Sequence, residues 1–519
     1  MNKRTSYLFS AIVFACLWFL TGSAARADVK LPAILSDGMI LQRDKPIRIW
    51  GTADPDEIIG IRFGANFGKA TADKNGHWLV QLPPVAAGGP YQMTIRGKNT
   101  IVLSDILIGE VWLCAGQSNM SAPLYYCDHT DKDVKEANYP TLRFYQTKQM
   151  PAEKPLFSNG GQWKTCTPEM ILKSSALEYF FGRALLNDLN VPIGVVDASY
   201  GGTQLETWVS REALADSGEF RSALGRAEEQ FLVYNNKVKT YDKELLNWVK
   251  ASEESKTTGA AVPPKPKAPS TAELYTAPTA IFNGVLSPVI PYSVRGMLWY
   301  QGENDVGQAG KYRRLFTIML KDIRQRFNDL SMPAVIVQLP NVNKAISKPM
   351  ESPWAEFREA QMMLKRLPYV YVAVSIDTAK GENIGIHPRQ KKEIAERLAA
   401  IAKATQYHMS VAYSGPVYDT VEVAANKIKV HFRCADRGLI SRGVPLTGFT
   451  IAGDDHVFVN ANAQIDGEYV TVWNDKVPHP AAVRYGWANN PTGNLYNADK
   501  LPAAPFRTDT WSLKTASSN

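Results

Sequence analysis

Gly109-Glu110-Val111-Trp112-Leu113-Cys114-Ala115-Gly116-Gln117-Ser118-Asn119-Met120 passes within twelve residues from an apolar run to a glycine turn that carries a serine. The run 111–114 is short, continuous and apolar, the pattern of a strand buried on both faces. Similar runs recur at 193–197, 297–300, 334–337 and 370–374. Helical patterns lie between them, at 176–186, 312–327, 354–367 and 388–402. Alternating buried strands and amphipathic helices predict an α/β domain built on a parallel sheet. In such sheets ligands bind beyond the carboxyl ends of the strands, which is where Ser118 falls.

Outward from this core the texture changes. Residues 28–108 carry short alternating runs such as Trp78-Leu79-Val80-Gln81-Leu82, parted by Asp54-Pro55-Asp56, Lys74-Asn75-Gly76 and Gly88-Gly89-Pro90. Even spacing of short strands predicts a β-sandwich-like unit. Residues 405–519 return to that texture, as in Glu468-Tyr469-Val470-Thr471-Val472-Trp473. The catalytic unit is therefore expected over 109–404. An insertion at about 211–275, rich in Lys and Glu, reads as a helical arm with an extended return through Pro263-Pro264-Lys265-Pro266-Lys267.

The N-terminus has Lys3 and Arg4, then an apolar stretch to Leu20, then Ala25-Arg26-Ala27. A basic start, an apolar centre and an A-x-A site read as a signal peptide over 1–27, cut after Ala27. The stretch is shorter than the ~20 residues of a spanning helix. A periplasmic or secreted protein with no membrane segment after cleavage is expected. The chain of 519 residues is 45% hydrophobic, enough for a large core, and its net charge is +8. Removing Lys3, Arg4 and Arg26 leaves the mature chain nearer +5. No Lys/Arg-rich run occurs, so no nucleic-acid partner is expected. The mature chain keeps Cys114, Cys127, Cys166 and Cys434. Export would permit a disulfide, with no pairing indicated.

Four polar segments could carry chemistry. Ser118 suits a nucleophile, and equally a helix cap. Ser199-Tyr200-Gly201-Gly202-Thr203 follows the next apolar run. Its paired glycines allow close backbone approach to a ligand, or form an ordinary turn. Gln301-Gly302-Glu303-Asn304-Asp305 ends a third run. The Asn304 amide is a suitable oxyanion donor, or a cap for the next helix. Ile386-His387-Pro388 opens a late helix, with Pro388 suited to its first turn. His387 there is a candidate general base. None of the other histidines has zinc-ligand spacing, so no metal is expected.

Taken together these segments resemble the sialate O-acetylesterase family of the SGNH hydrolases. The resemblance spans nearly the whole mature chain. It includes Leu31-Pro32-Ala33-Ile34-Leu35-Ser36-Asp37-Gly38-Met39, the 109–120 segment, Trp299-Tyr300-Gln301-Gly302-Glu303-Asn304, Ile386-His387-Pro388 and Arg484-Tyr485-Gly486-Trp487. It implies a three-layer α/β/α SGNH domain and a serine esterase that removes acetyl groups from O-acetylated carbohydrate without a cofactor. Ser118 matches the nucleophile and His387 its base. The Ser118 backbone, Gly201, Gly202 and Asn304 match the oxyanion hole. Gln301 is expected to face the bound ester, with Gln117 and Glu303 as further substrate contacts. The chain departs from the usual D-x-x-H motif, because Ile384 stands three residues before His387. Asp377 is then the leading acidic partner and Glu382 the second, with a Ser–His dyad as the alternative. The sugar is left open between sialic acid and plant polysaccharides such as xylan or xyloglucan. A carbohydrate-binding protein without catalysis is the competing reading.

Overall fold

The computed structural model describes residues 28–379, 381 and 383–515. The expected signal peptide and Glu382 lie outside the described residues.

Seven strands form the central sheet: β1 (Thr100–Gly116), β2 (Tyr139–Gln146), β3 (Gln162–Cys166), β4 (Ile193–Ser199), β5 (Gly296–Tyr300), β6 (Ala334–Val337) and β7 (Val370–Ala373). Their spatial order is β7-β6-β5-β1-β4-β2-β3. All pairs are parallel except the edge pair β2–β3. The chain leaves β1 toward one side and later returns to the other, so β1 is the switch strand of the sheet.

Side chains on β1 alternate between two cores. Trp112 and Cys114 join Val195, Leu298 and Val335 beneath α1 (Ala176–Leu189). Leu113 and Ala115 join Val196, Met297, Trp299 and Ile336 on the opposite face. That opposite face is covered by α3 (Ala309–Arg326) and α4 (Pro353–Met363), through Leu315, Phe316, Met319, Ile323 and Phe357. A last helix, α5 (Lys391–Gln406), packs beside α1 through Ile394, Leu398 and Ile401. Three layers result, as the alternating runs predict.

The arm is dominated by α2 (Ser222–Thr258), whose buried residues Ala223, Ala227 and Phe231 all fall near its base. Beyond them the helix stands away from the body. Gly259 ends it in the left-handed region, and the return passes Trp248, whose Nε1 donates to the Pro263 carbonyl at 2.8 Å.

The expected boundary at 108/109 falls inside β1. The first half of β1 pairs with Gly88–Arg96 and Ile40–Gln42 of the N-terminal unit, and its second half pairs with β4 and β5. The N-terminal strands alternate as expected, with Trp78, Val80 and Leu82 inward. The C-terminal unit has two four-stranded antiparallel sheets around its own core, which includes Val430, Ile451, Val472, Val483 and Phe506. Cys114, Cys127 and Cys166 are buried free thiols and Cys434 is an exposed one. No described helix is long and apolar enough to cross a membrane.

Candidate active site

Three strand ends lie side by side. Gly116 is in register with Ser199 of β4 and with Tyr300 of β5. The loops that follow therefore start together at the carboxyl edge of the sheet. Backbone bonds tie them: Gln117 N–H donates to the Tyr300 carbonyl at 2.9 Å, and Tyr200 N–H to the Gly116 carbonyl at 2.8 Å. Gly116 has φ +138°, and a Cβ there would lie 2.2 Å from the Tyr300 carbonyl oxygen, so only glycine lets the strands close here.

Ser118 opens a one-turn helix, Ser118–Ser121, and is half-buried. Its Oγ is 2.7 Å from Nε2 of His387, which is contributed from the segment before α5. The His387 pKa is held below its usual 6.5, first by burial and then by the Lys391 charge. At neutral pH the ring is therefore the neutral base, and the serine hydroxyl donates to Nε2.

The oxyanion candidates gather beside this pair. A Cβ on Gly201 would lie 3.5 Å from the Ser118 Cβ, and one on Gly202 would lie 4.0 Å from the Asn304 Nδ2. Gly202 has φ +74°, and its carbonyl accepts one Asn304 amide proton. The second amide proton and the loop N–H groups remain for a developing negative charge.

Other expected contacts are placed differently. Gln301 is fully buried, donating to the Thr203 carbonyl at 3.0 Å and to Asp305 Oδ2 at 2.5 Å. It braces the two oxyanion loops and does not face an ester. Gln117 is also buried, and its Oε1 accepts from the Gly302 N–H at 3.3 Å. Asp377 is not brought to His387. Its carboxylate takes both terminal nitrogens of Arg397, at 2.7 and 2.8 Å, and the Tyr496 hydroxyl at 2.9 Å. A short acidic side chain so committed joins α5 to the C-terminal unit.

Two residues with no expected role complete the site. Asn119 is fully buried and donates to the Ile386 carbonyl at 2.8 Å and to the Glu303 carboxylate. Its Oδ1 accepts from Lys391 Nζ at 2.5 Å. Asn119 thus fixes the peptide that carries His387. Burial brings Lys391 down to about 8, and its ammonium sits 5.1 Å from the Tyr300 ring centre. Glu303, expected to touch substrate, is turned into this cluster, and burial raises its pKa. The sequence carries one signal for Lys391: two lysines in the first turn of α5, where a positive charge opposes the helix dipole and needs compensation.

The profile of a carbohydrate esterase family, sialic acid-specific acetylesterase, matches residues 108–243 and 273–404. The gap between them falls on the arm. A carbohydrate acetylesterase from Xanthomonas citri is 34% identical, with a TM-score of 0.77, over 93% of this chain and 100% of that one. Sialate O-acetylesterase of Mus musculus is 25% identical over 93% of this chain and 95% of its own. That of Rattus norvegicus is 27% identical over 76% of this chain and 77% of its own.

Proposed function

Since this chain belongs to the sialic acid-specific acetylesterase family of carbohydrate esterases, we propose that it cleaves sugar O-acetyl esters by serine acyl transfer. The observation that carries the mechanism is the 2.7 Å approach of Ser118 Oγ to His387 Nε2, with Gly201, Gly202 and Asn304 alongside. Ser118 Oγ attacks the acetyl carbonyl carbon while its proton passes to Nε2. The oxyanion is held by the Ser118 and glycine N–H groups and the Asn304 amide. As the carbonyl re-forms, the C–O bond to the sugar breaks and His387 returns the proton to the leaving oxygen. Water, deprotonated by the same ring, then releases acetate from the serine.

Among the described residues no carboxylate is hydrogen-bonded to His387, so we read a Ser–His pair whose histidine is positioned through Asn119 and the Ile386 peptide, with Glu382 as the remaining acidic candidate. Asp377 serves stability in this reading. The alcohol is an O-acetylated sugar, with sialic acid and a neutral plant polysaccharide such as xylan or xyloglucan as the two readings. Arg389, two residues beyond His387, is an exposed cation paired with Asp128 at 3.0 Å, a weak surface pair that a sugar carboxylate could exchange with. The basic and apolar pattern of residues 1–27 supports export, with the mature chain beginning at Asp28.

The test is acetate release from acetylxylan, acetylated xyloglucan, acetylated pectin and 9-O-acetyl sialic acid. Ser118→Ala should lose release from every accepted substrate. Asn304→Ala should lose ~100- to 1,000-fold in kcat, as for one oxyanion donor, while keeping its melting temperature. Equal release by Ser118→Ala and the parent would overturn the serine mechanism.

A further inference from the structure

Two tyrosine rings border the oxyanion loop and take no part in the acyl-transfer chemistry. Tyr200 begins that loop, directly after β4. Tyr275 comes from the return of the arm, after the short turn Thr271–Leu274. Their rings stack at 11° with centres 6.2 Å apart. Tyr275 is pinned from below. Leu274 is buried with Ala227, Phe231, Ala277 and Ala280, at the junction of arm and body. Tyr275 is nonetheless 37% exposed. Part of an aromatic residue thus stays accessible beside Ser118 and its neighbours.

The ring stands next to the reacting atoms. A Cβ on Gly202 would meet Tyr275 Cε2 at 3.4 Å and the Asn304 Nδ2 at 4.0 Å. Gly202 is thus a shared neighbour of the tyrosine and the candidate oxyanion donor. An acetyl group whose carbonyl oxygen reaches that donor therefore stands near the tyrosine pair.

We propose that Tyr275, stacked on Tyr200, is the binding subsite for the sugar ring that bears the acetyl group. This rests on the acetylesterase reading and deepens it. A pyranose turns a row of C–H bonds to one face, and these carry the positive charge that the negative face of an aromatic ring attracts. The hydroxyls project from the ring edge. Among the described residues neither phenol oxygen has a hydrogen-bond partner, so both are free to meet sugar hydroxyls. The arm then has a role: its base delivers a sugar platform to the catalytic domain.

The test compares kcat/KM for an acetylated xylo-oligosaccharide with that for vinyl acetate, an acetyl ester without a ring. In Tyr275→Ala the ratio of the two should fall about 5-fold, the scale of one aromatic contact, and the loss should lie in KM. Tyr275→Leu, which keeps bulk and apolar packing, should lose the ratio in the same way, and Tyr275→Phe should keep most of it. An unchanged ratio in both Tyr275→Ala and Tyr275→Leu overturns the subsite. So does an equal loss on both esters, which would make Tyr275 a prop for the oxyanion loop. Failure of the esterase reading itself looks different: Ser118→Ala would then match the parent on both esters.

Discussion

His387 owes its readiness as a base to what lies behind it. Burial and the Lys391 ammonium both disfavour the imidazolium. The neutral ring is the working form, so kcat/KM should fall only as pH drops through a value below 6.5, and should be level at neutral pH. Lys391→Met removes the positive charge, which raises the His387 pKa and moves the acid limb to higher pH. A pH–rate profile of the two proteins checks this, and an unmoved limb would detach Lys391 from the base. Ser118, Asn304 and His387 stand out in the sequence because the first two follow apolar runs and the third opens a helix. Asn119 and Lys391 were not, although Asn119 adjoins the serine. Their roles arise from one buried hydrogen bond between residues 272 positions apart, and no local pattern encodes that.

At the scale of elements, the carboxyl ends of β1, β4 and β5 decide everything that follows. Their apolar runs were readable because a strand covered on both faces has no need of polar alternation. The same logic explains where the reading stopped short. Along β1 the pattern shifts from mostly exposed at residues 100–105 to unbroken burial from Ile106 onward. The shift marks a strand moving from the edge of the molecule to its centre, and the backbone continues through it. The commitments of Asp377 are hidden from sequence for a related reason. Asp377 follows β7 closely enough in sequence to reach the site, yet Arg397 on α5 and Tyr496 claim it. Asp377→Ala should therefore cost about 3 kcal/mol of stability, as when one partner of a buried pair is removed, and spare most of kcat. Chemical denaturation and turnover on the same sample separate the two effects. A loss of turnover as large as that of Ser118→Ala would return Asp377 to the catalytic machinery.

Across the whole molecule, polar clamps hold the three units together. Glu110 is fully buried at the seam of the N-terminal and catalytic units. It accepts from Arg43 at 2.5 Å and from Arg295 at 2.8 and 3.0 Å, and also from Tyr407 at 3.1 Å. These cations hold its carboxyl below the usual range against the pull of burial. Arg358, also fully buried, donates to the Leu339 and Pro340 carbonyls and to those of Ala488 and Asn489 in the C-terminal unit. Clefts of about 670 and 700 Å³ run along that second seam, and neither is lined by Ser118 or His387. The Ser118–His387 pair lies instead beyond the carboxyl end of the central strand β1.

The seventeen-residue strand β1 is shared property of two units. A gene shuffled at residue 108 would split one hydrogen-bond ladder and leave each fragment with a raw edge, open to pairing with other chains. Modular recombination of this architecture is therefore constrained: the front unit and the catalytic sheet must be exchanged with the common strand intact, and the permissible junctions lie outside it.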